Sequence, residues 1–145
     1  QTARLRMGFL WLYSVAALAS FTFGDTILFL DPQGSDKLGD GTASHPFASL
    51  NHSIEVALKA NDTSATLLLL PGTYKSPLDR NLLLSFVDPS FVLNLSSTNG
   101  SQATLVDIMQ DGFLLTIDNG GVSLNGLTVK NASEGALLGE KYGIL

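Results

Sequence analysis

The chain contains no cysteine. Disulfides and thiolate-bound metals are therefore impossible, and packing and hydrogen bonding must hold the fold together. Charge is scarce as well: only 14% of the 145 residues are Asp, Glu, Lys or Arg, and 8 basic residues face 13 acidic ones, for a net charge of −5. Nucleic-acid binding needs a basic footprint, and disorder needs low hydrophobicity with high charge, so neither suits a chain that is 45% hydrophobic. The only histidines, His45 and His52, are too far apart for an H-E-x-x-H pair, with Pro46 between them. No G-x-x-x-x-G-K-[ST] loop, no G-x-G-x-x-G after a strand and no G-x-S-x-G elbow occurs. What is left is one apolar, acidic domain.

The apolar residues are unevenly placed. Phe9 to Ala19 (FLWLYSVAALA) form an apolar run behind Arg4 and Arg6, which is the layout of a secretory signal. Ala17-Leu18-Ala19 offers a small-x-small cleavage pattern before Ser20, and Thr22-Phe23-Gly24 offers another before Asp25. We assign 1–24 to the signal peptide, with Met7 a plausible initiator and 1–6 then upstream read-through. An uncleaved anchor is the rival assignment, since Met7 to Gly24 approaches the roughly 20 residues needed to span a bilayer. Five N-x-[ST] sequons follow, so Asn51, Asn61, Asn94, Asn99 and Asn131 are the glycosylation candidates. The expected location is secreted or cell surface. The final residues, Lys141-Tyr142-Gly143-Ile144-Leu145, carry no tail or stop signal, and the chain is expected to continue beyond them.

Past the signal, Thr26 to Leu30 (TILFL) reads as a strand that enters a long turn-rich loop, Asp31 to Pro46. From Phe47 to Lys59 the period changes: Leu50, Ile54, Ala57 and Leu58 lie on one face of a helix that Ser44 or Ser49 could cap. Beyond Ser64 only short apolar runs occur, at Ala65 to Leu70, Leu82 to Val87, Phe91 to Leu95, Ala103 to Ile108, Phe113 to Ile117 and Val122 to Val129. Gly, Asn, Asp, Ser or Pro bounds each of them, which predicts strands. In the last run the alternation slips at Gly126, predicting a bend within one strand. Many short strands suit a sandwich or a solenoid of three to four rungs at roughly 20–25 residues each.

Several motifs occur in a telling order. Gly34-Ser35-Asp36 and Gly39-Asp40-Gly41-Thr42 precede Ser44-His45-Pro46-Phe47-Ala48-Ser49-Leu50; then come Leu68-Leu69-Leu70-Pro71-Gly72-Thr73-Tyr74 and Val122-Ser123-Leu124-Asn125-Gly126-Leu127-Thr128-Val129-Lys130-Asn131. In this order the chain resembles the start of a right-handed parallel β-helix of the pectin-lyase-like fold, as found in large exported proteins. The resemblance implies an all-β solenoid in which 25–63 form an N-terminal cap with one helix and 64–145 form the first rungs. It departs from the pattern at Glu134-Gly135-Ala136-Leu137-Leu138-Gly139, where a Gly-Gly-Ala start is usual, and this leaves the last rung open. A leucine-rich repeat is the rival, through Leu124-Asn125-Gly126-Leu127-Thr128-Val129, but Ala132 stands where that repeat wants Asn or Cys, and no second copy occurs.

Candidate chemistry is sparse. Asp31, Asp36 and Asp40 could offer oxygens to calcium, yet their spacing is not that of a D-x-[DN]-x-[DN]-G loop, and turn formation is the reading we adopt. Enzymes of the resembling fold cleave polysaccharides, the lyases with acidic calcium ligands and a basic residue, the hydrolases with two or three convergent carboxylates. Here only Asp107, Asp111 and Asp118, with Lys130, lie near one another among the rungs. We therefore expect no catalytic, cofactor-binding or metal-binding residue in this segment. The expected role is that of the capping, first-rung segment of a structural, adhesive or carbohydrate-binding surface protein. The alternative is a fragment of a polysaccharide-active enzyme whose site lies beyond residue 145. Expected partners are extracellular carbohydrate or surface proteins and no nucleic acid, with a membrane reached only through the N-terminal segment or a region beyond Leu145.

Overall fold

In the computed structural model, 24–135 and 137–139 are described. The signal assignment thus falls, except for Gly24, outside the described residues, as do the closing residues from 140 onward. Among the described residues ten strands and one α-helix follow one another as β1 (Asp25–Leu30), α1 (Leu50–Lys59), β2 (Ser64–Leu69), β3 (Gly72–Tyr74), β4 (Leu82–Ser85), β5 (Val92–Ser97), β6 (Thr104–Asp107), β7 (Leu115–Asn119), β8 (Gly121–Asn125), β9 (Thr128–Lys130) and β10 (Leu137–Gly139), with a 3-10 turn at Pro77–Asp79 between β3 and β4. The described part of the fold is thus built mainly of β-strands, with one α-helix.

The strands make three sheets, in the orders β1-β2-β5-β8, β3-β6-β9 and β4-β7-β10. Every pairing is parallel. From β2 onward the chain places one strand in each sheet in turn, three times over. In the first sheet Ser64 pairs with Val92 and Val92 with Gly121, steps of 28 and 29 residues. In the third, Leu82 pairs with Leu115 and Leu115 with Leu137, steps of 33 and 22.

Register explains why the runs are so rich in leucine. Side chains alternate faces along a strand, so Leu28, Leu67, Leu95 and Leu124 stack in one inward column across β1, β2, β5 and β8. The first three are buried, and Leu124 packs partly buried against the core. Tyr74, Val106 and Val129 make the matching column of the second sheet. Leu84 and Ile117 pair inward in the third. Full burial of such a side chain contributes roughly 1.5–3 kcal/mol, and the columns give one continuous core. Outward positions carry Ile27, Thr66, Asn94 and Ser123 in an adjacent column.

Three sequence expectations are corrected here. The helix begins at Leu50 with Ser49 as its cap, the Ser49 side chain accepting from the His52 N–H. Phe47, expected inside the helix, instead pairs with Leu30 of β1. Along α1, Leu50, Ile54 and Ala57 are buried, whereas Leu58, expected on the same stripe, is exposed. The run from Val122 to Val129 is also two strands rather than one bent strand. Gly126 sits at φ +64°, a left-handed conformation that glycine tolerates, and there the chain leaves the first sheet for the second. β10 falls in the stretch where the resemblance was broken.

The segment before α1 closes one side of the first sheet. Phe29 N–H donates to the Gly41 carbonyl, Phe47 N–H to the Phe29 carbonyl and Asp31 N–H to the Phe47 carbonyl. The free edge of β1 is thus partly paired, as an aggregation-prone sheet edge requires. α1 packs against β1, β2 and the Pro77–Asp79 turn.

Candidate functional site

A cavity of about 490 Å³ opens where the α1 N-terminus meets the Pro77–Asp79 turn, between Asp36, Ser49, Tyr74, Lys75 and Asp79. Two carboxylates organise it. Asp36 reaches from the loop to accept from the N–H groups of Ala48 and Ser49, at 2.8 and 3.0 Å, and from the Ser49 hydroxyl at 2.6 Å. Asp79 accepts from the Leu50 N–H and the Ser76 N–H, both at 2.9 Å. A helix start leaves N–H groups without intrahelical partners, and here carboxylates on two separate segments take up those of the Ser49 cap and of Leu50, together with that of Ala48 just before them. Each ties a different part of the chain to the helix.

Sequence reasoning singled out Asp36 but missed Asp79. A signal was there: Ser76 and Asp79 form a capping box around Pro77, with Ser76 accepting from the Leu78 N–H. The shortness of the turn concealed it.

The environments of the two carboxyls push their acidities apart. Burial raises Asp36, but the hydrogen bonds from the Ser49 hydroxyl and the Ala48 and Ser49 N–H groups together outweigh it, and the group lies below the ordinary carboxylate range. Burial also raises Asp79 and there prevails over the bonds from Leu50 and Ser76, with the Asp36 charge adding to the rise. Beside them burial pushes the Tyr74 phenol up. Its hydroxyl lies 2.8 and 3.0 Å from the carbonyl oxygens of Leu30 and Leu70, so as a neutral group it sits between the end of β1 and the residue that follows β2.

The signs have opposite consequences for stability. A carboxyl lowered by folding contributes stability that is present above its unfolded value and is lost as pH falls through its folded value. Asp36 is of this kind. Asp79, being raised, favours the fold most below its unfolded value, and that contribution fades as pH rises through its folded value. Asp79→Ala should nevertheless destabilise the chain at neutral pH by about 1–3 kcal/mol, because it orphans two N–H groups, one of them at a buried helix start. Urea unfolding of the variant at pH 7 and pH 4 checks this, with the Asp36→Ala penalty expected to shrink on acidification; a neutral Asp79→Ala would refute the clamp.

The remaining sequence candidates do not meet. Asp31 accepts from the Gln33 N–H, and Asp40 accepts from the N–H and hydroxyl of Thr42. Each therefore closes a local turn, and among the described residues no group of three His, Asp or Glu side chains is placed to hold a metal ion. His45 lies in the exposed loop with Nδ1 3.2 Å from the Ser44 hydroxyl, while His52 sits on α1 with its ring edge-on to Phe47.

The carboxylates of the later strands are scattered. Asp107 ends β6 of the second sheet, accepts from Asn131 Nδ2 at 2.8 Å and pairs with Lys130 at 3.4 Å. Asp111 pairs with Arg80 at 3.0 Å in a connecting turn, and Asp118 accepts from Ser85 on the third sheet.

The five sequon asparagines differ in setting. Asn51 lies on α1 with its amide donating to Glu55, Asn94 lies mid-strand in β5, and Asn131 is held by Asp107. Asn61 and Asn99 are exposed in connections. Among the described residues no helix is long and apolar enough to cross a membrane.

Comparison of the chain with family models, with curated proteins and with solved structures yields no match.

Proposed function

We propose that this chain is the N-terminal cap and first rungs of a right-handed parallel β-helix, similar to the pectin-lyase-like kind. On this reading it belongs to a secreted or cell-surface protein whose role is structural, adhesive or carbohydrate-binding. The observation that carries the scaffold reading is the repeated order of strands through three parallel sheets. Right-handedness follows from the rule that parallel strands are joined by right-handed crossovers. The cap reading is supported by the placement of α1 and the loop against β1, the first strand of its sheet. The polysaccharide-cleaving alternative would need convergent carboxylates, and Asp107, Asp111 and Asp118 are spread over two sheets and a turn.

The address is tested by expressing the whole chain in a eukaryotic host with a working secretory pathway. Recovery from the medium or the cell surface, with a mass lowered by an asparagine-amidase that removes N-glycans, is the expected result. A chain that stays in the cytosol at its unmodified mass would overturn the secretory reading. Retention of the secreted chain on immobilised polysaccharides then separates a carbohydrate-binding role from a purely structural one.

A further inference from the structure

We propose that Asn61 carries an N-glycan whose first sugar packs into the neighbouring cleft and completes the surface there. The inference rests on the secretory reading above. A cleft of about 230 Å³ opens beside the C-terminal end of α1, with Asn61 itself on its wall and Leu58, Phe86, Val87 and Phe91 around it. This is smaller than the roughly 300–1,000 Å³ of a drug-sized ligand site, and of a scale suited to one sugar ring. Its floor is the buried pair Phe86 and Phe91, ring centroids 4.8 Å apart. Part of its rim is apolar and uncovered: Val87 is wholly exposed and Leu58 is 40% exposed. Single exposed apolar residues are ordinary, but here two of them flank a modification motif across one small concavity.

The sequon is also well presented. Asn61 is exposed at φ +60°, a left-handed conformation that asparagine adopts more readily than most residues. Its amide makes no hydrogen bond among the described residues, whereas those of Asn51 and Asn131 are engaged. Asp62, the middle residue, accepts from the Thr26 hydroxyl of β1, so the motif is fixed to the sheet. The polar rim is Asp88 and Ser85, which can accept from sugar hydroxyls and the acetamido N–H, while the apolar face of the ring and its methyl group cover Val87 and Leu58.

The attachment step joins Asn61 Nδ2 to the anomeric carbon of an N-acetylhexosamine supplied by a polyprenyl-diphosphate-linked oligosaccharide. The bond from that carbon to the diphosphate oxygen breaks, the diphosphate leaves with the electron pair, and Nδ2 gives up one proton.

The test uses the full chain secreted from a glycosylating host. Site-by-site mass spectrometry should find Asn61 occupied. Thermal melting should be unchanged when the glycan is trimmed to its first sugar, and should fall by roughly 2–8 °C when the amidase removes it entirely. Thr63→Ala, which removes the sequon yet keeps Asn61, should lower the melting temperature by a like amount in that host and leave it unchanged in bacterially made protein. Asn99→Gln should leave it unchanged in both. Occupancy at no sequon would overturn the secretory reading together with this inference. Occupancy elsewhere but not at Asn61, or an Asn61 glycan whose removal leaves melting unaltered, would overturn the inference alone.

Discussion

Ile54→Asp should cost the fold about 4 kcal/mol or more, among the largest effects expected of any single substitution in this chain. Ile54 is 4% exposed, in the middle of the apolar stripe of α1 between Leu50 and Ala57. A carboxylate there would lose the burial of a large aliphatic group and would also be charged in a place that offers it no partner. The helix should lift away from β1 and β2, leaving the end of the core open. Leu58→Asp on the exposed side of the same helix should cost less than about 1 kcal/mol. Urea unfolding and light scattering of the two variants decide the matter: equal penalties, or an Ile54→Asp protein that neither loses stability nor aggregates, would remove α1 as the closure of this end.

Gly39→Ala should be nearly as damaging, at about 3 kcal/mol. The reason is space rather than conformational freedom. A Cβ on Gly39 would lie 2.4 Å from the Ser35 carbonyl oxygen and 2.6 Å from that of Pro46, both of them backbone atoms. The same loop donates Gly39 N–H to Ser35 and brings the Gly41 carbonyl to β1, so displacing it should unpair the edge of the sheet. Gly100→Ala provides the contrast. Gly100 has a φ of +84° but open space around it, so alanine there should cost only the left-handed strain of about 1–2 kcal/mol. Melting curves and limited proteolysis within 31–47 would report both, and a Gly39→Ala protein no worse than Gly100→Ala would show that close approach in this loop is dispensable.

Much of the strand inventory could be read from the chain. Leu, Ile and Val clustered between turn residues because their alternate positions stack in inward columns such as Leu28, Leu67, Leu95 and Leu124. Sheet membership was harder to see. Steps of 28 and 29 residues in one sheet but 33 and 22 in another leave no fixed period, and the turn at Gly126 looked like a bend because strands on both sides of it are apolar. Phe47 resembled the first residue of a helix for a similar reason: its burial is real, but it is owed to β1.

The cavity was half legible. Asp36 stood out as a possible ligand, and its oxygens turn out to be occupied by backbone N–H groups of the helix start. Asp79 did not stand out, because what makes it matter is the Leu50 N–H, 29 residues away in the chain. Long-range partners of this kind have no local signature.

The strand order also fixes a timetable for assembly. Each strand after β1 that joins an existing sheet pairs with one made earlier, and the nearest partner lies 22 to 39 residues upstream. Parallel pairing is ordinarily slow, because distant segments must find each other. A growing chain laid down in this order never has to wait for a partner that has not yet been synthesised. At roughly 5–20 residues per second, each spacing of this length would leave the ribosome in about 1–8 s, and each strand would find its template already in place. On the capping reading proposed above, the loop and α1 would then act first in time as well as in space, covering the edge of β1 before the later strands pair.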